Sequence, residues 1–217
     1  MTGFKAMMGL GLAALLASVP AAAAAQMPTG RSGFSTSRTV GEREYWSALR
    51  AFGRCFARTA PGPSFELLAT EPASREELAV YTRLFEGHDV PCLDDMGQMS
   101  VVVRYVRGTI AEGLLLNGAP VPPGLTLAAP ASVAQIRTLS EVARCYAAAH
   151  RAEARAMIAD TRPGSPEEEA ALQHMEEDLF RCVPPAAANA QFLSTDIRYR
   201  LAEALLRLPA EPAAAAH

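Results

Sequence analysis

The sequence predicts an all-α protein built from two tandem copies of a unit of about four helices, each copy closed by an internal disulfide. Three observations predict it. A ten-residue stretch recurs, VRGTIAEGLL at Val106–Leu115 and IRYRLAEALL at Ile197–Leu206. The cysteines recur at a fixed step of 37 residues, from Cys55 to Cys92 and from Cys145 to Cys182. Apolar residues fall at helical spacing, as Tyr45, Leu49, Phe52 and Phe56 do.

Residues 1–25 stand apart from the rest. One cation, Lys5, precedes the apolar run AMMGLGLAALLASV, then Pro20 and a tract of alanines with several A-x-A sites. That is the layout of a secretory signal peptide, expected to be cleaved after Ala25. The run is short of the ~20 apolar residues a membrane span needs. Residues 26–41 are rich in Gly, Ser and Thr and read as a disordered linker. Lys5 is the only lysine, so the mature chain carries 19 arginines against 23 acidic residues, a net charge of −4. This composition argues against nucleic-acid binding. It also excludes a lysine Schiff base, a P-loop lysine and a Ser–Lys dyad.

A shift of 90 residues aligns Leu49 with Leu139, Phe52 with Val142, Arg54 with Arg144 and Phe56 with Tyr146. A shift of 91 aligns Arg107 with Arg198 and Glu112 with Glu203. The first copy is expected over residues 42–117 and the second over 132–208. Helix one is expected at Glu42–Thr59, stopped by the APGP run at Ala60. Its twin is expected at Ser132–His150, with Ser132 and Gln135 as a capping box. Short helices follow at Ser64–Thr70 and Ala152–Asp160. The third helices begin at S-x-x-E boxes, Ser74 with Glu77 and Ser165 with Glu168, and Pro166 occupies the favoured first position. The fourth carry the echo, at Ser100–Leu116 and Thr195–Leu208, and Asn117–Gly118 is a C-terminal signal. Residues 118–131 are too Pro-rich for a helix and read as a stiff spacer, and 209–217 as a frayed tail.

Four cysteines allow three pairings. Duplication selects Cys55–Cys92 and Cys145–Cys182, because each copy then carries its own staple. Outside the cytoplasm such pairs persist as disulfides. No C-x-x-C redox motif or close cysteine pair for structural zinc is present. His88, Cys92, Met96 and Met99 form a soft donor set that copper would accept. The second copy holds Asp178, Cys182, Ala186 and Asn189 there, and a disulfide would remove the thiolate. No metal and no cofactor are expected.

Arg54, Arg144, Arg107, Arg198, Glu112 and Glu203 recur while most surface positions differ. They are either a pair of equivalent binding sites or structural charges, and the structural role is expected. Arg107 and Glu112 are five apart on one helix, hence on different faces, so they should not pair with each other. No G-x-S-x-G, H-E-x-x-H or Gly-rich phosphate loop occurs. His150 and His174 belong to one copy only and are expected on the surface.

The order Arg-Cys, Leu-Leu-Ala-Thr-x-Pro-x-Ser, Cys and Arg-x-x-Ile/Leu-Ala-Glu-x-Leu-Leu resembles a group of uncharacterised exported alphaproteobacterial proteins. The resemblance spans Leu49–Leu116 and Leu139–Leu208. It implies helical structure and a signal peptide and assigns no functional residue. The expectation for function is a periplasmic or secreted, non-enzymatic protein acting by binding or interaction in the cell envelope. Its partner would be a protein or a small apolar ligand, held in a groove between the copies. The alternatives are a carboxylate-based envelope hydrolase and a lipid or small-hydrophobe binder.

Overall fold

The computed structural model describes residues 41–85, 92, 103–187 and 193–210. Among them are eight α-helices and no strand: α1 Glu42–Thr59, α2 Pro61–Ala69, α3 Arg75–Phe85, α4 Val103–Leu116, α5 Leu139–Ala149, α6 Arg151–Asp160, α7 Pro166–Arg181 and α8 Ser194–Arg207. The expected signal peptide, most of the linker and tail, and His88, Met96 and Met99 lie outside the described residues, as does the expected start of the fourth helix at Ser100.

The centre is set by the two echo helices. α4 is buried without a break from Tyr105 to Leu115, and α8 from Ile197 to Tyr199 and from Leu201 to Leu206. A helix that is apolar or internally satisfied on all sides belongs in a core. Arg107 of α4 meets Glu203 of α8, while Arg198 meets Glu112. These pairs require the two helices to run antiparallel. Amphipathic α1 lays Trp46, Leu49, Phe52 and Phe56 on α4, and α5 lays Val142 and Tyr146 on α8. Helices α2 and α6 also reach the central pair, α2 packing on α4 and α6 on α8. Next to them, α3 packs on α2, and α7 packs on α6, α5 and α8.

Two close approaches explain glycines in these helices. A Cβ on Gly53 would lie 2.3 Å from the Thr109 carbonyl oxygen, and one on Gly113 would lie 2.3 Å from the Gly53 carbonyl oxygen. Thus α1 and α4 touch backbone to backbone. At the middle of the α4–α8 crossing, a Cβ on Gly108 would lie 2.2 Å from Cβ of Tyr199. Gly108 and Tyr199 are related by the 91-residue shift. At this contact there is room for one large side chain and not for two.

Both cysteine pairs are joined as the spacing predicts, Cys55–Cys92 and Cys145–Cys182, with Cα separations of 5.7 and 5.8 Å. In the chain-entropy picture each loop closure contributes about 4 kcal/mol. Cys182 caps the end of α7.

Three local expectations need correction. The second long helix does not begin at Ser132. Residues Val133–Gln135 form one 3₁₀ turn with no side-chain cap, and α5 starts at Leu139. Its capping box is Thr138 with Glu141. Glu141 accepts from the backbone N–H groups of Arg137 (2.7 Å) and Thr138 (2.9 Å), which with the Thr138 hydroxyl hold its carboxyl below the usual range. The 118–131 segment is not a free spacer. The Leu127 N–H donates to the Arg207 carbonyl (2.8 Å), and Arg207 Nε donates to the Leu125 carbonyl (3.0 Å), so the segment is docked on the end of α8. The Asn117–Gly118 signal does close α4: Gly118 is left-handed (φ 64°), and Ala119 N–H bonds to the Leu114 carbonyl (3.0 Å). Finally, the S-x-x-E boxes are only half as expected. The Ser74 and Ser165 hydroxyls accept from the N–H groups of Glu77 and Glu168, at 3.0 and 3.2 Å. The two carboxylates go elsewhere.

Candidate functional site

The recurring charges meet at the α4–α8 seam, crosswise. Arg107 donates to Glu203 through two parallel bonds, from Nε to Oε2 (2.9 Å) and from Nη2 to Oε1 (2.7 Å). Arg198 makes the matching fork onto Glu112, at 2.9 and 2.9 Å. Each arginine therefore takes its carboxylate from the other half of the chain. The expectation that Arg107 and Glu112 do not pair with each other agrees with this geometry.

The remaining guanidinium donors turn to the corner where the second helix of each half meets the third. Arg107 Nη1 donates to the Leu67 carbonyl (2.9 Å), the Thr70 hydroxyl (3.2 Å) and Glu77 Oε1 (3.2 Å). Arg198 Nη1 donates to the Thr161 hydroxyl (2.8 Å) and Glu168 Oε1 (3.2 Å), and its Nη2 to the Ile158 carbonyl (2.8 Å). The second oxygens of Glu77 and Glu168 accept from the N–H groups of Ala73 and Gly164, both at 2.6 Å. Ala73 and Gly164 are both left-handed, with φ of 62° and 70°. Arg107 and Arg198 are 1% and 0% exposed, and Glu77, Glu112, Glu168 and Glu203 are also buried. Buried ions are tolerable only with such saturation.

The two sides differ in what else touches the central carboxylates. Arg50 of α1 brings Nε to 2.8 Å from Glu112 Oε1 and donates from Nη2 to the Ile158 carbonyl (3.2 Å). Glu203 is met instead by Arg207, one turn along α8, at 3.0 Å. Burial alone would raise the Glu203 carboxyl, but the bonds and charge of Arg107 and Arg207 more than offset it, and Glu203 is held below its ordinary value. At Glu168 burial wins over the charge of Arg198, and its carboxyl is pushed up. Burial pulls Arg50 down against the pull of Glu112.

Arg54 and Arg144 are not part of this network. Arg54 is exposed, and its carbonyl accepts from Asn117 at 3.5 Å. Arg144 lines a shallow cleft, open to solvent and with about 20 Å³ of space for water-sized groups, together with Leu127, Ser140, Arg200, Glu203, Ala204 and Arg207. Arg144 lies 3.8 Å from Glu141, a loose ion contact, and its buried Nε has no hydrogen-bond partner among the described residues.

Aromatic side chains occupy the apolar seam where α1, α4 and α8 meet. Trp46 packs edge-on against Tyr105 with centroids 5.1 Å apart, and Tyr199 closes the triangle at 6.3 Å from Trp46 and 5.9 Å from Tyr105.

Of the two histidines among the described residues, His174 is exposed, as expected, whereas His150 is half-buried. His150 stacks on buried Tyr146 (4.8 Å) between Glu153 and Asp178, and His174 approaches Glu153. The distances are 3.6–3.8 Å, and no group of three or more His, Cys, Asp or Glu among the described residues is placed to hold a metal ion. Cys92 is bonded to Cys55, so the soft donor set at 88–99 has lost its thiolate.

Glu77 and Glu168 were legible as caps but not as ion-pair partners. Their recurrence at the 91-residue shift, the same shift as Arg107 and Arg198, is the signal that could have linked them. Arg50, Arg200 and Arg207 have no such signal, since Ser140, Thr109 and Leu116 stand at the matching positions.

What fold and site define is an all-helical protein with two disulfides and a buried, cross-paired charge network at its centre. Comparison with family models, curated proteins and solved structures finds no match.

Proposed function

We propose that this is an exported, non-enzymatic protein that works by binding or interaction in the cell envelope, in the periplasm or after secretion. The observation that carries the proposal is the full engagement of four of the recurring charges, Arg107, Arg198, Glu112 and Glu203. Glu112 and Glu203, the carboxylates that repetition singles out, are each bonded through both oxygens to a buried guanidinium. A general acid or base must exchange a proton with substrate, and these groups are committed to holding the two halves together. The hydrolase alternative is less supported for that reason. The lipid-binder alternative needs an open apolar seam, where Trp46, Tyr105 and Tyr199 now stand. Export is supported by the leader-like N-terminus together with two joined cysteine pairs, and no helix among the described residues is long and apolar enough to cross a membrane. A duplicated unit of this kind is a rigid platform rather than a reaction vessel.

The test begins with cells producing the full chain. The expected result is a species starting at Gln26, found in the periplasm or medium, with no free thiol by mass. A full-length cytoplasmic chain with four free thiols would overturn export. The oxidised protein is then used for capture from envelope extract and for turnover of ester, amide and glycoside substrates. A retained partner that is lost on reduction supports the proposal. Turnover abolished by Glu112→Gln in a protein that remains helical would replace it with the hydrolase.

A further inference from the structure

We propose that the cleft between α5 and α8 is a binding site for a small oxyanion, a carboxylate or phosphate head group, held by Arg144 and Arg200. This goes beyond binding as a general role, and that role would survive its failure.

The cleft has a structural origin. In the first half Arg50 fills the space next to the central carboxylate, reaching Glu112 Oε1 at 2.8 Å and the Ile158 carbonyl at 3.2 Å. The residue at the matching position of the second half is Ser140. Replacing a long guanidinium side chain by a hydroxymethyl group leaves a gap beside Glu203, and this gap is the cleft, with about 20 Å³ of space for water-sized groups at its base and an open mouth. Two positions around it change in the opposite sense. Thr109 and Leu116 of the first half correspond to Arg200 and Arg207 in the second. At these positions and that of Arg54 and Arg144, four in all, the first half has two arginines, Arg50 in a filled corner and the exposed Arg54, whereas the second has three around an open one.

The charge balance then favours an anion. Arg144, Arg200 and Arg207 line the cleft against a single carboxylate, Glu203. That carboxylate already accepts two bonds from Arg107, which lies outside the cleft, and one from Arg207. Arg207 is further tied to the Leu125 carbonyl, so its role is to hold the wall. Arg144 and Arg200 are left with long contacts only, 3.8 Å to Glu141 and 3.9 Å to Glu203. Arg144 Nε is buried with no hydrogen-bond partner among the described residues. An oxyanion accepting from Arg144 and Arg200, with the Ser140 hydroxyl beside it, would satisfy that donor. Leu127 and Ala204 give the apolar wall for a short stem on the ligand. The chain as a whole is acidic. A cationic cleft in such a surface discriminates in favour of a small anion that fits it, not of polyanions in general.

The test is a titration of the oxidised protein with sodium acetate, sodium butanoate and inorganic phosphate, each at constant ionic strength against sodium chloride. The readout is the Arg144 Nε–H resonance in ¹⁵N–¹H spectra, replaced in the Arg144→Gln variant by the Nε–H resonance of Arg200. A saturable 1:1 shift with an oxyanion and none with chloride is the expected result. A tighter response to butanoate than to acetate or phosphate assigns an apolar carboxylate, and a tighter response to phosphate assigns a phosphate head. Arg144→Gln and Arg200→Gln should each weaken binding about 10- to 100-fold, the loss expected for one charge-assisted hydrogen bond. Arg200 is at the rim of the cleft, so the second variant decides if the first fails to fold. Linear shifts that chloride reproduces, or binding that Arg200→Gln leaves unchanged, would overturn the proposal.

Discussion

At the scale of single residues, the buried network makes two predictions. Replacing Arg107 by Met leaves Glu203 and Glu77 as buried carboxylates without their main partner. The expected cost is about 3–5 kcal/mol by chemical denaturation. The double variant Arg107→Met with Glu203→Leu removes the stranded charge as well, so it should be less damaging than the sum of the two single changes. Additive costs would mean that the fork contributes no coupling. The second prediction concerns pH. Glu203 is held low, so its pairing stabilises the fold above the unfolded carboxyl pKa of about 4.3 and is lost as pH falls through the lower folded value. Glu168 is pushed up, so its contribution is present below about 4.3 and is lost as pH rises through the higher folded value. The stability gap between the native chain and Glu203→Gln should therefore widen as pH rises through the carboxylate range. The gap to Glu168→Gln should move the other way. Melting midpoints of both variants from acid to neutral pH check the two signs, and parallel trends would refute the opposite shifts.

At the scale of elements, helix positions were legible where amphipathic spacing and breakers agree, and misread where two caps compete. α1 has alternating apolar faces, an acidic first turn and Pro61 just past its end, and its expected bounds coincide with those observed. At the start of α5 the sequence offers Ser132–Gln135 and, six residues on, Thr138–Glu141. Both have a hydroxyl three residues before a glutamine or glutamate. Only the second has an N3 carboxylate, which reaches two backbone N–H groups. Buried Ile136 anchors the chain between them and forces the helix to begin late. Thr138→Ala should thus cost about 1 kcal/mol, the usual loss of an N-cap, while Ser132→Ala should cost almost nothing. Equal effects in thermal denaturation would restore the earlier start. The close approach of α1 to α4 was not legible at all, because a glycine inside a helix gives no sign of what packs on it. Gly53→Ala places a methyl group against the Thr109 backbone, and a loss of about 1–3 kcal/mol is expected from overpacking. Gly62→Ala has nothing within 4 Å and serves as the control, neutral or slightly stabilising. If the two alanine variants melted alike, the helices would be free to separate without cost.

At the scale of the whole molecule, the repeated motif was legible from the sequence but its use was not. Matching ten-residue stretches say that two helices are alike. They do not say that each arginine takes its glutamate from the other helix, because pairing across about ninety residues leaves no local trace. That cross-pairing makes the halves interdependent. Residues 42–131 alone would keep Arg107 with Glu77 and Glu112 with Arg50, but would lose Glu203, Arg198 and the cover of α8. Two broken buried pairs, at about 3–5 kcal/mol each, approach the whole stability of an ordinary domain, and a disulfide contributing about 4 kcal/mol does not offset them. A half could in principle pair with a copy of itself, since its arginine and glutamate are complementary. The centre of the seam opposes this. Two copies of the second half would bring Tyr199 against Tyr199 where only a glycine fits, and two copies of the first would set Gly108 against Gly108 across a void. The oxidised pieces 42–131 and 132–208 should each be poorly helical alone by circular dichroism. Mixed in equal amounts, they should gain helix and sediment as a one-to-one complex. An isolated piece that is helical and melts cooperatively as a monomer would show that the central seam does not hold the protein together. A stable complex of the second piece with itself would show that the Gly108–Tyr199 contact does not decide which halves pair.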